Sequence, residues 1–149
     1  MRIGEILKSK GTNVVGLPPT SKVSEAISLM RDRNVGSVVV RDLHRHLLGI
    51  LSERDIVLAI AQNGVQVANM YVTQLMATGS PIASVNDRVV DVMETITNNR
   101  VRHLPVIDRE TDVVVGVVSI GDIVKARLAE TKAENAILHD IARAHLMVA

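Results

Sequence analysis

Gly49-Ile-Leu-Ser52-Glu-Arg-Asp55-Ile-Val57 returns further along the chain as Gly116-Val-Val-Ser119-Ile-Gly-Asp122-Ile-Val124. Each copy leaves an apolar strand through a Ser-x-x-Asp step and enters a helix. The segments ahead of them repeat as well. A shift of 66 residues lays Val23, Ala26, Ile27 and Met30 on Val89, Val92, Met93 and Ile96. Both sets follow i, i+3, i+4, i+7, the apolar stripe of an amphipathic helix. Thr20 and Asn86 precede these helices and are the expected N-caps. The β-rich runs Val35–Val40 and Val101–Val106 come next, then polar turns from Asp42 and Asp108, then the strands Leu47–Leu51 and Val113–Val118. Continuous apolar strands of this kind read as covered on both faces.

The unit is a lead-in, a helix, two strands and a helix, occurring twice. One such unit of about 60 residues buries little surface alone, whereas two packed about a pseudo-twofold share a core. The expected segments are residues 1–64, 65–130 and a helical extension over 131–149. The chain after Asp122 contains neither Gly nor Pro. Leu138, Ile141 and His145 fall near one helical face there, with Ile137 alongside.

Composition narrows the function. Of 149 residues, 47% are hydrophobic, yet Tyr71 is the sole aromatic, so Val, Ile, Leu, Met and Ala must build the core. There is no cysteine, which excludes disulfides, thiolate nucleophiles and Cys-ligated metal and fits a reducing compartment. A net charge of +1 and the lack of stacking aromatics argue against nucleic-acid binding. The longest apolar run, Val113–Val118, is too short to span a bilayer, and the charged N-terminus lacks a signal-peptide core. The expectation is a soluble, cytoplasmic protein.

The closing pattern Gly-apolar-x-Ser-x-x-Asp, with Arg102-His-Leu-Pro-Val-Ile-Asp108 ahead of the second copy, resembles the CBS-domain (cystathionine-β-synthase-type) pair, or Bateman module, over about residues 1–130. The resemblance implies an α/β (α+β) fold of two repeats related by a pseudo-dyad, each a small sheet covered by helices, plus the extra C-terminal helix. It implies an adenosyl ligand (AMP, ADP, ATP, NAD(H) or S-adenosylmethionine) between the sheets, a homodimer formed through helical faces and a separate effector protein. The extension is expected at that dimer contact.

Ser52 to Asp55 and Ser119 to Asp122 read in two ways. Ser-x-x-Asp is close to a helix capping box. The same helix N-terminus also exposes N–H groups to an anion, and a carboxylate accepts both hydroxyls of a ribose. By resemblance, Ser52, Asp55, Ser119 and Asp122 hold ribose and phosphate. Arg102 and His103 match phosphate contacts, since an arginine fork suits phosphate oxygens; the alternative is that Arg102 points outward and His103 packs at the sheet edge. Their first-repeat counterparts are Gly36 and Ser37, so the phosphate-binding charge is expected in the second-repeat site and not in the first. Arg54 reaches phosphates in some members. Leu104 and Pro105 are expected to flank the adenine. Ile82 with Pro81, and Pro18 with Pro19, mark the extended segments that wall the pocket.

Other motifs are set aside. His44-x-His46 reads as a solvated turn with no metal-ligand set around it. Gly4–Gly11 fails the spacing of a phosphate loop. No nucleophile–base constellation is evident, so an enzyme is not expected. The rival functions are a purely structural dimerisation module and, with less support, a nucleic-acid binder.

Overall fold

The computed structural model describes residues 1–11 and 13–148. The first half contains α1 (Ile3–Lys10), β1 (Gly16–Leu17), α2 (Val23–Arg33), β2 (Ser37–Arg41), β3 (Leu47–Ser52) and α3 (Glu53–Asn63). A 3-10 turn (Val65–Asn69) leads to α4 (Val72–Leu75), β4 (Ala83–Ser84), α5 (Val89–Asn99), β5 (His103–Asp108), β6 (Val113–Ser119) and α6 (Ile120–Val148). Two three-stranded sheets form, ordered β1-β2-β3 and β4-β5-β6. In each, the short first strand pairs parallel and the hairpin pairs antiparallel. The expected α/β pair of small helix-covered sheets is the observed architecture.

The two cores do not follow chain order. Ile3, Ile6 and Leu7 of α1 pack with Val89, Val92, Leu104, Val106 and Val118 of the second sheet's core. Val67 and Val72 pack with Val23, Val38, Val40 and Leu51 in the first. Each lead-in thus completes the core of the other repeat, and segments cut at residue 64 cross both cores. Backbone hydrogen bonds fix the exchange. The Val23 N–H donates to Met70 O at 2.8 Å and Val72 N–H to Ser21 O at 2.9 Å. Their counterparts are Val89 N–H to Met1 O at 3.1 Å and Ile3 N–H to Asp87 O at 3.0 Å.

This exchange corrects the expected caps. The helices begin at Val23 and Val89 with Lys22 and Arg88 as extended N-caps, so Thr20 and Asn86 lie too early. Lys22 and Arg88 are held in single bridges to Tyr71 and Arg2 of the exchanged lead-ins. At α2 the cap is completed by Glu25, whose carboxylate accepts the Lys22 N–H at 3.2 Å. The amphipathic stripes are buried except at Ile27, which is 38% exposed, and Met93, which is half-buried. The expected extension is not a separate helix. It continues α6 unbroken, and residues 131–148 are exposed throughout.

Gly49 and Gly116 sit at matched positions where the lead-ins press on the sheets. A Cβ at Gly116 would come within 2.7 Å of Leu7 Cδ2, the mobile end of a side chain. At Gly49 it would come within 2.7 Å of Met76 Sδ and 2.8 Å of the Ala77 carbonyl oxygen, which cannot rotate away. Overpacking a tight contact costs about 1–3 kcal/mol. Gly49→Ala is therefore expected near the top of that range and Gly116→Ala near the bottom. Urea denaturation of both variants checks the order; equal losses would mean that the backbone contact at Ala77 is not limiting.

Candidate functional site

Period-two alternation decides which strand residues face the space between the sheets. On β5, Leu104 and Val106 point into the core, while His103, Pro105 and Ile107 border clefts. Leu104, 1% exposed, is thereby removed from the expected base pocket: it is a core residue. On β2, Val38 and Val40 are core and Ser37 borders a cleft.

The two Ser-x-x-Asp steps are built alike. Ser52 caps α3: its hydroxyl accepts the Asp55 N–H at 3.2 Å, and its own N–H and hydroxyl donate to Asp55 Oδ2 at 3.0 and 2.9 Å. Ser119 N–H donates to Asp122 Oδ2 at 2.9 Å, and Asp122 N–H to the Ser119 hydroxyl at 3.1 Å. Glu53 N–H donates to Gly36 O at 3.0 Å, matched by Ile120 N–H to Arg102 O at 2.9 Å. Both steps are complete capping boxes in the resting protein, and both open onto clefts.

Ser52, Arg54 and Asp55 border a cleft of about 540 Å³, with Arg100, Arg102 and His103 arriving from the other repeat. Arg102 thus borders the Asp55 cleft, while His103 borders both that cleft and the Asp122 cleft, so the pair expected together at the second-repeat site is divided between the two. The reason is geometric: residue 102 precedes β5 and is exposed on the flank that faces the N-terminus of α3. A smaller cleft of about 200 Å³, sharing Ile50, Ala77 and Ser80 with it, is bordered by Ile82, Pro105 and Ile107. Ser119 and Asp122 border a third cleft of about 470 Å³ with Lys10, Ser37 and His103. Clefts of 300–1,000 Å³ suit small ligands.

His103 borders both Ser-x-x-Asp clefts. A Cβ on Gly36 would lie 3.3 Å from His103 Nε2 and 3.3 Å from Glu53 Oε1, so glycine leaves room for both side chains beside it. Burial holds the His103 pKa below its ordinary 6.5, against the opposing pull of Glu53. At neutral pH the imidazole is therefore mainly uncharged, and an anion beside it would draw in a proton.

Lys10 escaped the sequence reading. Its ammonium lies 2.7 Å from Asp122 Oδ2 and donates to Val117 O at 2.9 Å. Sequence separation hides the pair, and only the lead-in exchange brings α1 over β6. Burial raises the Asp122 pKa, but Lys10 and the Ser119 N–H outweigh it, leaving the carboxyl below its ordinary 3.8. Asp55 has no such lysine among the described residues.

A family model described as "CBS domain" matches residues 3–62 and again 72–129. The chain is 32% identical over 140 residues to the mitochondrial CBS domain-containing protein CBSX3 of Arabidopsis thaliana, covering 89% of this chain and 67% of that protein. It resembles the crystal structure of a CBS-domain containing protein from Agrobacterium tumefaciens, with a TM-score of 0.79, 34% identity, and 85% and 99% of the two chains covered. A CBS domain protein from Pyrobaculum aerophilum, solved in complex with AMP, matches with a TM-score of 0.72 and 26% identity over 82% of this chain and 89% of that one.

Lys10→Met tests the electrostatics of the second cleft. Removing the ammonium leaves burial opposed only by hydrogen bonds, so the Asp122 pKa should rise. Because the carboxyl is depressed in the folded protein, its stabilisation is full above the unfolded pKa and fades as pH falls through the folded one. The stability gap between wild type and variant should therefore be about 1 kcal/mol or less at neutral pH, since the pair is partly solvated, and should close on acidification. Carboxyl carbon NMR titration reads the shift; an unmoved Asp122 would show that Lys10 does not set its charge.

Proposed function

The chain belongs to the CBS-domain family, and from that footing we propose that it is a regulatory module that senses an adenosyl ligand bound between its two repeats and catalyses no reaction itself. One observation carries the proposal: helix N-termini bearing Ser52–Asp55 and Ser119–Asp122 open onto clefts completed by basic groups from the other repeat. A helix N-terminus favours phosphate, and a carboxylate beside it suits a ribose diol.

The first cleft is the better adenine-nucleotide site. Asp55 Oδ2 accepts from Ser52, while no cation is bonded to the carboxylate among the described residues. Arg54, Arg100 and Arg102 border the same space, which suits a phosphate. The neighbouring apolar recess at Ile82, Pro105 and Ile107 suits a base held without aromatic stacking. In the second cleft Lys10 occupies Asp122, so a ribose there must compete with an ion pair. AMP is the preferred candidate among AMP, ADP, ATP, NAD(H) and S-adenosylmethionine, and its presence in the Pyrobaculum relative supports that choice.

Output passes to a separate protein or to self-association. Val57 and Leu58 on α3, Val124 and Leu128 on α6, and Ile137, Leu138 and Ile141 beyond them are all more than half exposed. Such apolar helical surface suits a homodimer. The completed capping boxes favour one rival, a structural dimerisation module whose Ser-x-x-Asp steps serve only the helices.

With a dissociation constant near 10 μM, 1 mM AMP should stabilise the protein by about 2.7 kcal/mol. If AMP, ATP, NAD(H) and S-adenosylmethionine all leave the melting point unchanged while dimers persist, the structural module is the correct reading. Asp55→Asn keeps a capping oxygen but loses the charge, and should weaken AMP by about 1.5–3 kcal/mol at a folding cost of ~1 kcal/mol or less. Arg102→Ala should erase the preference for AMP over adenosine and spare adenosine itself. Calorimetric titration of both ligands separates a phosphate contact from a loss of pocket shape, which would weaken both alike.

A further inference from the structure

Strand register makes Arg41 the counterpart of Ile107. Val40 and Val106 each stand opposite a glycine (Gly49, Gly116), and each sheet shifts register at the next step, between Val40 and Arg41 and between Val106 and Ile107. The hairpin turns match too, since Arg45 (φ 65°) and Asp112 (φ 59°) hold the left-handed position. The recess beside the first site is therefore bordered by Ile107 and Asp112, whereas its mirror position carries two arginines.

That mirror position is a cleft of about 570 Å³ where Arg41 and Arg45 are joined by Arg33 from the end of α2, over a wall of Val14 and Val113–Val115. No carboxylate borders it, and none of the three guanidinium groups forms an ion pair among the described residues. Arg33 and Arg45 are exposed and Arg41 half-buried, so water screens part of their mutual repulsion and an anion bound among them would relieve the rest.

Arg45 is held in place by its backbone. Its carbonyl accepts the Val114 N–H of the other repeat at 3.0 Å, and its N–H donates to Asp42 O at 3.0 Å. The nearest acid in the turn, Asp42, is turned to its own loop, accepting the His44 and His46 N–H groups at 2.9 Å each. The tight turn thus absorbs the local carboxylate and leaves the guanidinium unneutralised.

We infer that the Arg33–Arg41–Arg45 cleft is an anion site for an oligophosphate, two or more linked phosphates spread across the three forks. Each planar fork can bridge two phosphate oxygens, and the three forks come from a helix end, a strand end and a turn around a cleft of about 570 Å³, which leaves room for more than one phosphate. The cleft shares Asn13, Val14 and Arg33 with the Asp122 cleft, so the oligophosphate can be the tail of a nucleotide seated there or a free inorganic ion. The inference stands on the arginines and does not require adenine binding at Ser52–Asp55.

The test is calorimetric titration of the full chain with inorganic tripolyphosphate, pyrophosphate and orthophosphate at fixed ionic strength, and with ATP and AMP in parallel. Tripolyphosphate should bind tightest and weaken as salt is added. Arg41→Gln combined with Arg45→Gln should weaken it by about a hundredfold, and Arg33→Gln by about tenfold, at roughly tenfold per charge-assisted contact. If ATP loses affinity in the arginine variants while AMP does not, the anion is a nucleotide tail; if only the inorganic ions lose affinity, it is a free oligophosphate. Tripolyphosphate binding no better than chloride, or unaltered binding by folded Arg33→Gln and Arg41→Gln proteins, overturns the inference.

Discussion

The first N–H groups of α2 and α5 find their acceptors in the opposite repeat, at Met70 and Met1. A helix start always leaves N–H groups without partners inside the helix, and burial makes an unpaired one costly. Here the exchanged lead-ins supply the carbonyls. This one requirement fixes much else. It sets where both helices begin, lays α1 over β6 and the segment after α4 over β3, and demands glycine at position 49, where the Ala77 carbonyl presses on the strand. It also binds the two sheets side by side, so the clefts between them are bordered by both repeats at once. Neither core closes with residues from one repeat alone.

On this near-symmetric backbone the side chains are not symmetric. Ser37 stands where β5 has His103, each opposite the serine of a capping box (Ser52, Ser119). Lys10 reaches Asp122, and no lysine reaches Asp55 among the described residues. Arg102 is exposed and borders the cleft at the start of α3, so the basic flank of one repeat lines the cleft of the other's motif. At the far end of the sheets, Ile107 faces one recess and Arg41 the other. Duplication supplies two equal frames. Single substitutions then line one recess with Ile107 and Asp112, and its mirror with Arg33, Arg41 and Arg45.

The repeat, the sheets and the Ser-x-x-Asp helix starts were legible because they rest on periodicity and on local hydrogen bonds. Val23, Ala26, Met30 and their partners Val89, Val92 and Ile96 are buried as their spacing requires. What escaped depends on contacts between residues far apart. The exchange of lead-ins leaves no local signature, so Thr20 and Asn86 looked like caps and Lys10 looked idle. Leu104 seemed adjacent to a ligand because Pro105 was, yet neighbours on a strand face opposite ways. Arg102 was assigned to its own repeat's motif because sequence order says nothing of which cleft an exposed flank borders. Arg33, Arg41 and Arg45 are scattered over a helix end, a strand end and a turn, and only the fold gathers them.

Helix α6 joins the second cleft to the surface of the molecule. Its first turn holds Asp122, and of its 29 residues only Ile123 and Ala126 are fully buried. At 1.5 Å per residue the helix is about 43 Å long, so most of it projects past its last anchor. That anchor is Glu130, which takes the Met1 amino group at 3.2 Å and Arg127 at 2.6 Å. A helix segment with no packed face is marginal in water, and Ile137, Leu138 and Ile141 give this one an apolar face to cover. Lys10 pairs with Asp122 in the first turn of this helix. A tilt of roughly 10° there moves the far end by about 7 Å, by the same rise per residue. The residue that borders the cleft and the exposed tail therefore belong to one unbroken helix, so a shift at either end is carried to the other.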